Sequence, residues 1–113
     1  MREAQIRCAA EWKRPDLLAV KGGRTPRDYA FTLASCLVAA ELATTAPGET
    51  ATYLDADLFF YSSPAPLHAA IEGASVGLVG HRHHAWSRRL EKYGRLNVGW
   101  VSFRADEAGR AAA

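Results

Sequence analysis

Apolar positions in this chain fall into blocks punctuated by glycine, proline and charge. Tyr29, Leu33, Cys36, Leu37 and Ala40 recur at helical spacing, and Phe31, Ala34, Val38 and Leu42 add a second apolar flank. Ahead of them, Thr25 suits an N-cap, Pro26 the first helical position, and Asp28 the acidic place in a capping box. The pattern predicts a helix from Pro26 to about Ala43, apolar enough to be largely buried. Thr44-Thr45-Ala46-Pro47-Gly48 ends it. Thr50–Leu54 is rich in β-formers and predicts a strand, as do Ser75–Val79 and Asn97–Arg104. In the last of these, Val98 and Trp100 alternate with Gly99, Val101 and Phe103, so both faces are expected to be covered.

The connecting segments carry helical signals. Ser63-Pro64 opens a short helix through Leu67, Ala70 and Ile71, closed by Gly73. Ala85–Tyr93 predicts a basic helix with Trp86 and Leu90 on its inner side, ended by Gly94. Asp106-Glu107-Ala108-Gly109 reads as the opening turn of another. Before residue 21, Ile6, Ala9 and Ala10, then Leu17, Leu18 and Val20, suggest one or two short helical pieces interrupted at Pro15, with Trp12 as a packing residue. Strands alternating with helices predict an α/β domain: a mixed three-stranded sheet with flanking helices.

With 113 residues the chain suggests one domain with a modest core. A net charge of +2 is too mild to argue for nucleic acid. Cys8 and Cys36 show neither a disulfide framework nor metal-ligand spacing, and fit reduced thiols in a cytoplasmic protein. No apolar segment follows Met1-Arg2-Glu3-Ala4-Gln5, so no secretory leader is expected. Tyr29 to Ala43 is too short for a membrane span and is broken by Ser35 and Glu41.

The chemistry concentrates in Thr52-Tyr53-Leu54-Asp55-Ala56-Asp57-Leu58-Phe59-Phe60, where an apolar strand runs into two carboxylates. Carboxylates so close to apolar sequence call for a partner, and a hard divalent cation rewards paired oxygen donors. Mg²⁺ or Mn²⁺ on one or two carboxylates completes its shell with water and substrate phosphates. The aspartates also fall at the carboxyl end of a strand, the edge where open α/β sheets bind ligands. The bland reading is a pair of acidic loop residues.

Leu54-Asp55-Ala56-Asp57 resembles the DxD motif of GT-A nucleotide-sugar transferases. Two further blocks resemble bacterial, glycosyltransferase family 8-like members. Asn97-Val98-Gly99-Trp100-Val101-Ser102-Phe103-Arg104 is similar to the strand after the motif, and Arg27-Asp28-Tyr29-Ala30-Phe31-Thr32 to the helix before it. The resemblance implies an incomplete GT-A domain, with residues 25–110 as its core and residues 1–24 as a lead-in. It implies transfer of a sugar from a nucleotide-diphosphate donor to an unspecified acceptor, with Mn²⁺ or Mg²⁺ held by Asp55 and Asp57. Asp55, Tyr29, Thr32, Asn97, Gly99 and Trp100 would border the donor, although Trp100 reads equally as a core residue. The family's opening nucleotide-binding βα unit and its late segment have no counterpart here, so the chain is expected to be a middle fragment. One alternative is a non-catalytic remnant or interaction module of the same fold. Another is a haloacid-dehalogenase-like phosphatase, in which the first aspartate is a nucleophile; Phe59 stands where that motif wants Thr or Val.

Two other clusters carry weaker signals. His81, His83 and His84 could hold Zn²⁺, but zinc ligands usually come from separated segments and Arg82 repels cations, so a polar loop at the sheet edge is the better reading. Arg88, Arg89, Lys92 and Arg95 read as a solvated basic face or as a steering surface for a diphosphate or an acidic acceptor.

Overall fold

The structure is a computed structural model and describes residues 14–113. Ile6, Cys8, Ala9, Ala10 and Trp12 lie outside the described residues. The first helix, α1, spans Pro15–Lys21. Pro15, where the sequence suggests a break, is its first residue, a place that suits proline because a first-turn N–H has no helical partner to lose. Leu17 is buried, while Leu18 and Val20 face outward.

The long helix α2 spans Pro26–Thr44. Thr25 Oγ1 accepts the Asp28 N–H at 3.2 Å and donates to the Asp28 carboxylate at 2.6 Å, so the expected cap forms. At the other end Thr44 and Thr45 turn their hydroxyls onto the Glu41 carbonyl. The Glu49 N–H then reaches Ala46 O at 3.0 Å, with Pro47 and Gly48 (φ +82°) at the two central positions of a type II turn. This reverses the chain into β1, Thr50–Leu54.

Helix α2 is not the buried rod its composition suggests. Leu42 is shut off from solvent, but Phe31 is 58% exposed. A 19-residue helix is about 28 Å long, whereas the five-residue strand it packs on covers about 17 Å. Its amino-terminal half therefore extends beyond the strand that would cover it.

After β1 come α3 (Ala65–Ala70), β2 (Val76–Gly80), a 3-10 helix (Ala85–Tyr93), β3 (Leu96–Arg104) and α4 (Glu107–Ala112). The strand order is β1-β3-β2 and both ladders are antiparallel, so the expected mixed sheet is corrected to an antiparallel one. The physical reason is that β1 and β2 run in the same direction but do not touch. β3 returns in the opposite direction and fills the space between them. Its centre is the most buried part of the sheet: Trp100, Val101 and Ser102 lie almost out of solvent.

Helix α4 ties the sheet to α2. Asp106 caps it by accepting the Gly109 N–H at 2.7 Å, and also accepts Ser75 Oγ at 2.9 Å. Gly109 lies against backbone: a Cβ there would stand 2.0 Å from Arg104 O and 2.9 Å from Ser75 O. Arg110 donates to Leu42 O and to Thr45 O, satisfying carbonyls left open at the end of α2.

The segment Ala85–Tyr93 is 3-10 rather than α-helical, which changes its inner row. A period of three eclipses residues three apart. Ser87 is the residue that turns inward, Leu90 is 39% exposed and Trp86 is 78% exposed, against the expectation that Trp86 and Leu90 pack inside.

Candidate functional site

Because β1 and β2 both run opposite to β3, their carboxyl ends emerge at one edge of the sheet, on either side of the start of β3. The Asp55 loop and the His81–His84 loop therefore leave from the same edge.

At the β1 exit the pairing continues one step past the strand, since the Asp55 N–H donates to Gly99 O at 2.9 Å. The Leu58 N–H then returns to Asp55 O at 3.2 Å, closing a turn with Ala56 and Asp57 at its centre. The two carboxylates therefore do not share a strand face. Asp55 is half-buried over the sheet and Asp57 is exposed on the turn. Tyr53, two residues before Asp55 and so on the same strand face, donates its hydroxyl to Asp55 Oδ1 at 2.7 Å. Asp55 Oδ2 and the whole Asp57 carboxylate have no hydrogen-bond or ion-pair partner among the described residues.

Opposite Asp55, β3 departs from β2. Leu78 pairs with Val101, but the next residue, Val79, pairs with Asn97. Val98, Gly99 and Trp100 are thereby left out of the β2 ladder while Trp100 stays paired with Leu54 on β1. Irregularities of this kind re-aim side chains beside functional sites. Here Asn97 Oδ1 accepts the Gly99 N–H at 2.8 Å, and Gly99 is presented to Asp55. A Cβ on Gly99 would stand 3.1 Å from Asp55 Oδ2 and 3.1 Å from Asn97 Oδ1. The missing side chain is what leaves that carboxylate oxygen room.

Electrostatically, the Tyr53 phenol is pushed up to about 12, first by burial, then by its hydrogen bond to Asp55 and by the Asp55 and Asp57 charges. Tyr53 is thus held as a donor that fixes one oxygen of Asp55 and leaves the other without a hydrogen-bond partner among the described residues. The sequence gives Tyr53 no role beyond its place in the strand; its two-residue offset from Asp55 within that strand is the signal that marks it. No group of three His, Cys, Asp or Glu side chains among the described residues is arranged to hold a metal. The donor set is two carboxylates, which fits a hard divalent cation that takes its remaining ligands from water and substrate oxygens.

The remaining predicted residues are placed less centrally. Trp100 is buried, donates Nε1–H to Ser102 Oγ at 3.0 Å, and has Phe60 and His68 against its ring at 5.7 and 5.3 Å. Ser102 Oγ also shares a hydrogen bond with Thr52 Oγ1. Thr32 donates to Asp28 O and accepts from Arg24, and Tyr29 lies under the Lys21 ammonium. No hydrogen bond or ring contact among the described residues joins Tyr29 or Thr32 to either aspartate. In the second loop, the His81 and His83 rings stack at 4.7 Å, and the His84 ring stacks on Trp86.

Among known proteins, the chain is 33% identical over 92 residues to the "Uncharacterized protein YfnD" of Bacillus subtilis (strain 168), a match covering 80% of this chain and 30% of that one. It is also 33% identical over 100 residues to "Uncharacterized protein YfnF" of the same organism, covering 82% of this chain and 33% of the relative. The chain thus spans about a third of the length of the curated relatives it matches. No family model and no solved structure matches it. No helix among the described residues is long and apolar enough to cross a membrane.

Proposed function

We propose that this chain carries the cation-diphosphate site of a glycosyltransferase-like protein of GT-A type that uses a nucleotide-diphosphate sugar. One observation carries the reading: two carboxylates leave the end of β1, and the free oxygen of one faces a strand position without a side chain. Asp55 and Asp57 would hold Mn²⁺ or Mg²⁺, with Tyr53 orienting Asp55. Held there, the cation would supply Lewis-acid stabilisation of a departing diphosphate. Gly99 stands beside Asp55 with Asn97 bound to its N–H, and the family resemblance puts the donor sugar along this strand. Tyr29 and Thr32 enter this reading only through the family resemblance.

The second reading, an interaction module that has kept the fold, is favoured by the aromatics beyond the motif. Phe59 and Tyr61 pack edge to face and are 75% and 93% exposed. Titration with Mn²⁺ followed by NMR line broadening separates the two. The first reading expects the amides of Asp55, Asp57 and Gly99 to broaden first, and Asp57→Asn to abolish the effect. In a longer protein that includes the opening nucleotide-binding βα unit, it also expects metal-dependent release of nucleoside diphosphate from a nucleotide sugar, lost in the Asp55→Asn, Asp57→Asn double variant. Uniform broadening, or release that the double variant retains, would sink it.

A further inference from the structure

The second loop and the 3-10 helix enclose a cleft of about 320 Å³ that the aspartate site does not use. Gly80, Arg82, His83, Arg88, Glu91 and Arg95 line it. Its geometry follows from the backbone. The period of a 3-10 helix sets Arg88 and Glu91 in one row. The His81 N–H donates to Arg95 O at 3.0 Å, carrying the β2–β3 pairing one step past Gly80 and setting Arg95 against the loop. Arg82 sits at φ +48°, the one non-glycine residue with positive φ among the described residues. Such a conformation costs roughly 1 kcal/mol or more and persists where the surroundings impose it.

The charge is unbalanced. Three guanidiniums and one carboxylate meet in the cleft, and none of them forms an ion pair among the described residues. Guanidinium forks match the oxygens of phosphate and carboxylate, and three of them lining one cleft with a single carboxylate favour an anion there. Glu91 adds a lone acceptor at the same cleft, suited to a hydroxyl beside that anion.

We infer that this cleft binds a saccharide bearing an oxyanion, with Arg82, Arg88 and Arg95 on the phosphate or carboxylate and Glu91 on a neighbouring hydroxyl. The inference does not rest on the proposed metal chemistry. The two sites share an edge of the sheet but leave different strands, about 10 Å apart across β3.

The test is titration of the chain with a hexose phosphate, a hexuronate and the neutral hexose, by calorimetry and by amide shifts at Gly80, His83 and Arg95. Saturable binding of either anionic sugar with none of the neutral one is expected, and which of the two binds identifies the anion as phosphate or carboxylate. Replacing both Arg88 and Arg95 with Gln should weaken it by at least about tenfold. Glu91→Gln should weaken the sugar anion but not inorganic phosphate, which has no hydroxyl to offer on a sugar ring. Asp57→Asn should leave binding intact, so this inference and the metal reading fail separately. These exposed substitutions should leave the melting temperature near that of the parent chain. The absence of saturable binding by both anionic sugars, or wild-type affinity in the folded double Arg variant, overturns the inference.

Discussion

Asp55 and Gly99 are bound backbone to backbone at 2.9 Å, and the Asp55 carboxylate occupies the space a Gly99 side chain would need. The hydrogen bond fixes the register of the two strands at this point, and the absent side chain decides what that register can hold. Gly99→Ala therefore tests the site with one methyl group. Contacts of 3.1 Å to two side-chain oxygens force Asp55 or Asn97 to move. The variant should stay folded, lose about 1–2 kcal/mol of stability, and bind Mn²⁺ roughly tenfold more weakly. Thermal melting with Mn²⁺ electron paramagnetic resonance measures both; unchanged Mn²⁺ affinity would detach Gly99 from the site.

Tyr53 gives a pH signature. Its folded-state value of about 12 lies above the ordinary 10.0, so folding favours the neutral phenol. That contribution is complete below about pH 10 and is lost as pH rises towards 12. Chemical denaturation across this window should show a falling stability component that Tyr53→Phe removes. Asp55→Asn should lower the Tyr53 value as read by ultraviolet titration, because it deletes a charge and a charged acceptor. If the tyrosinate signal of the Asp55 variant matches the parent, the Tyr53–Asp55 bond does not persist in solution.

Gly109 separates fold from chemistry. A methyl group there meets Arg104 O at 2.0 Å and Ser75 O at 2.9 Å, and backbone on both sides cannot step aside without breaking strand geometry. Gly109→Ala should cost more than about 3 kcal/mol, or prevent folding, although it is far from both aspartates in sequence. A melting temperature within a few degrees of the parent would contradict this packing.

Asp106 should control stability in acid. Its carboxyl is held below the ordinary 3.8, first by the Gly109 N–H, with help from Ser75 and Arg104. A depressed value stabilises the folded chain above the unfolded-state value and loses that effect as pH falls through the folded one. Melting temperature should therefore drop below about pH 4 in the parent. In Asp106→Ala it should start lower and lose the part of that drop due to this group.

Several features were legible in the residues because they are local. Thr25-Pro26 starts α2, Thr50–Leu54 is β1, and Gly73 and Gly94, both with positive φ, follow their helices where expected. Caps, β-rich runs and left-handed glycines act within a few residues, so the chain states them directly. That Asp55 and Asp57 stand at the exit of β1 was legible for the same reason.

Tertiary structure decided what surrounds them. Strand order β1-β3-β2, the antiparallel pairing and the jump from Leu78–Val101 to Val79–Asn97 depend on segments far apart in the chain. No local pattern encodes which residue of β3 will stand opposite Asp55. The same holds for the exposed Phe31 and Trp86: an apolar side chain is buried only where a neighbouring element is long enough, and turned the right way, to cover it.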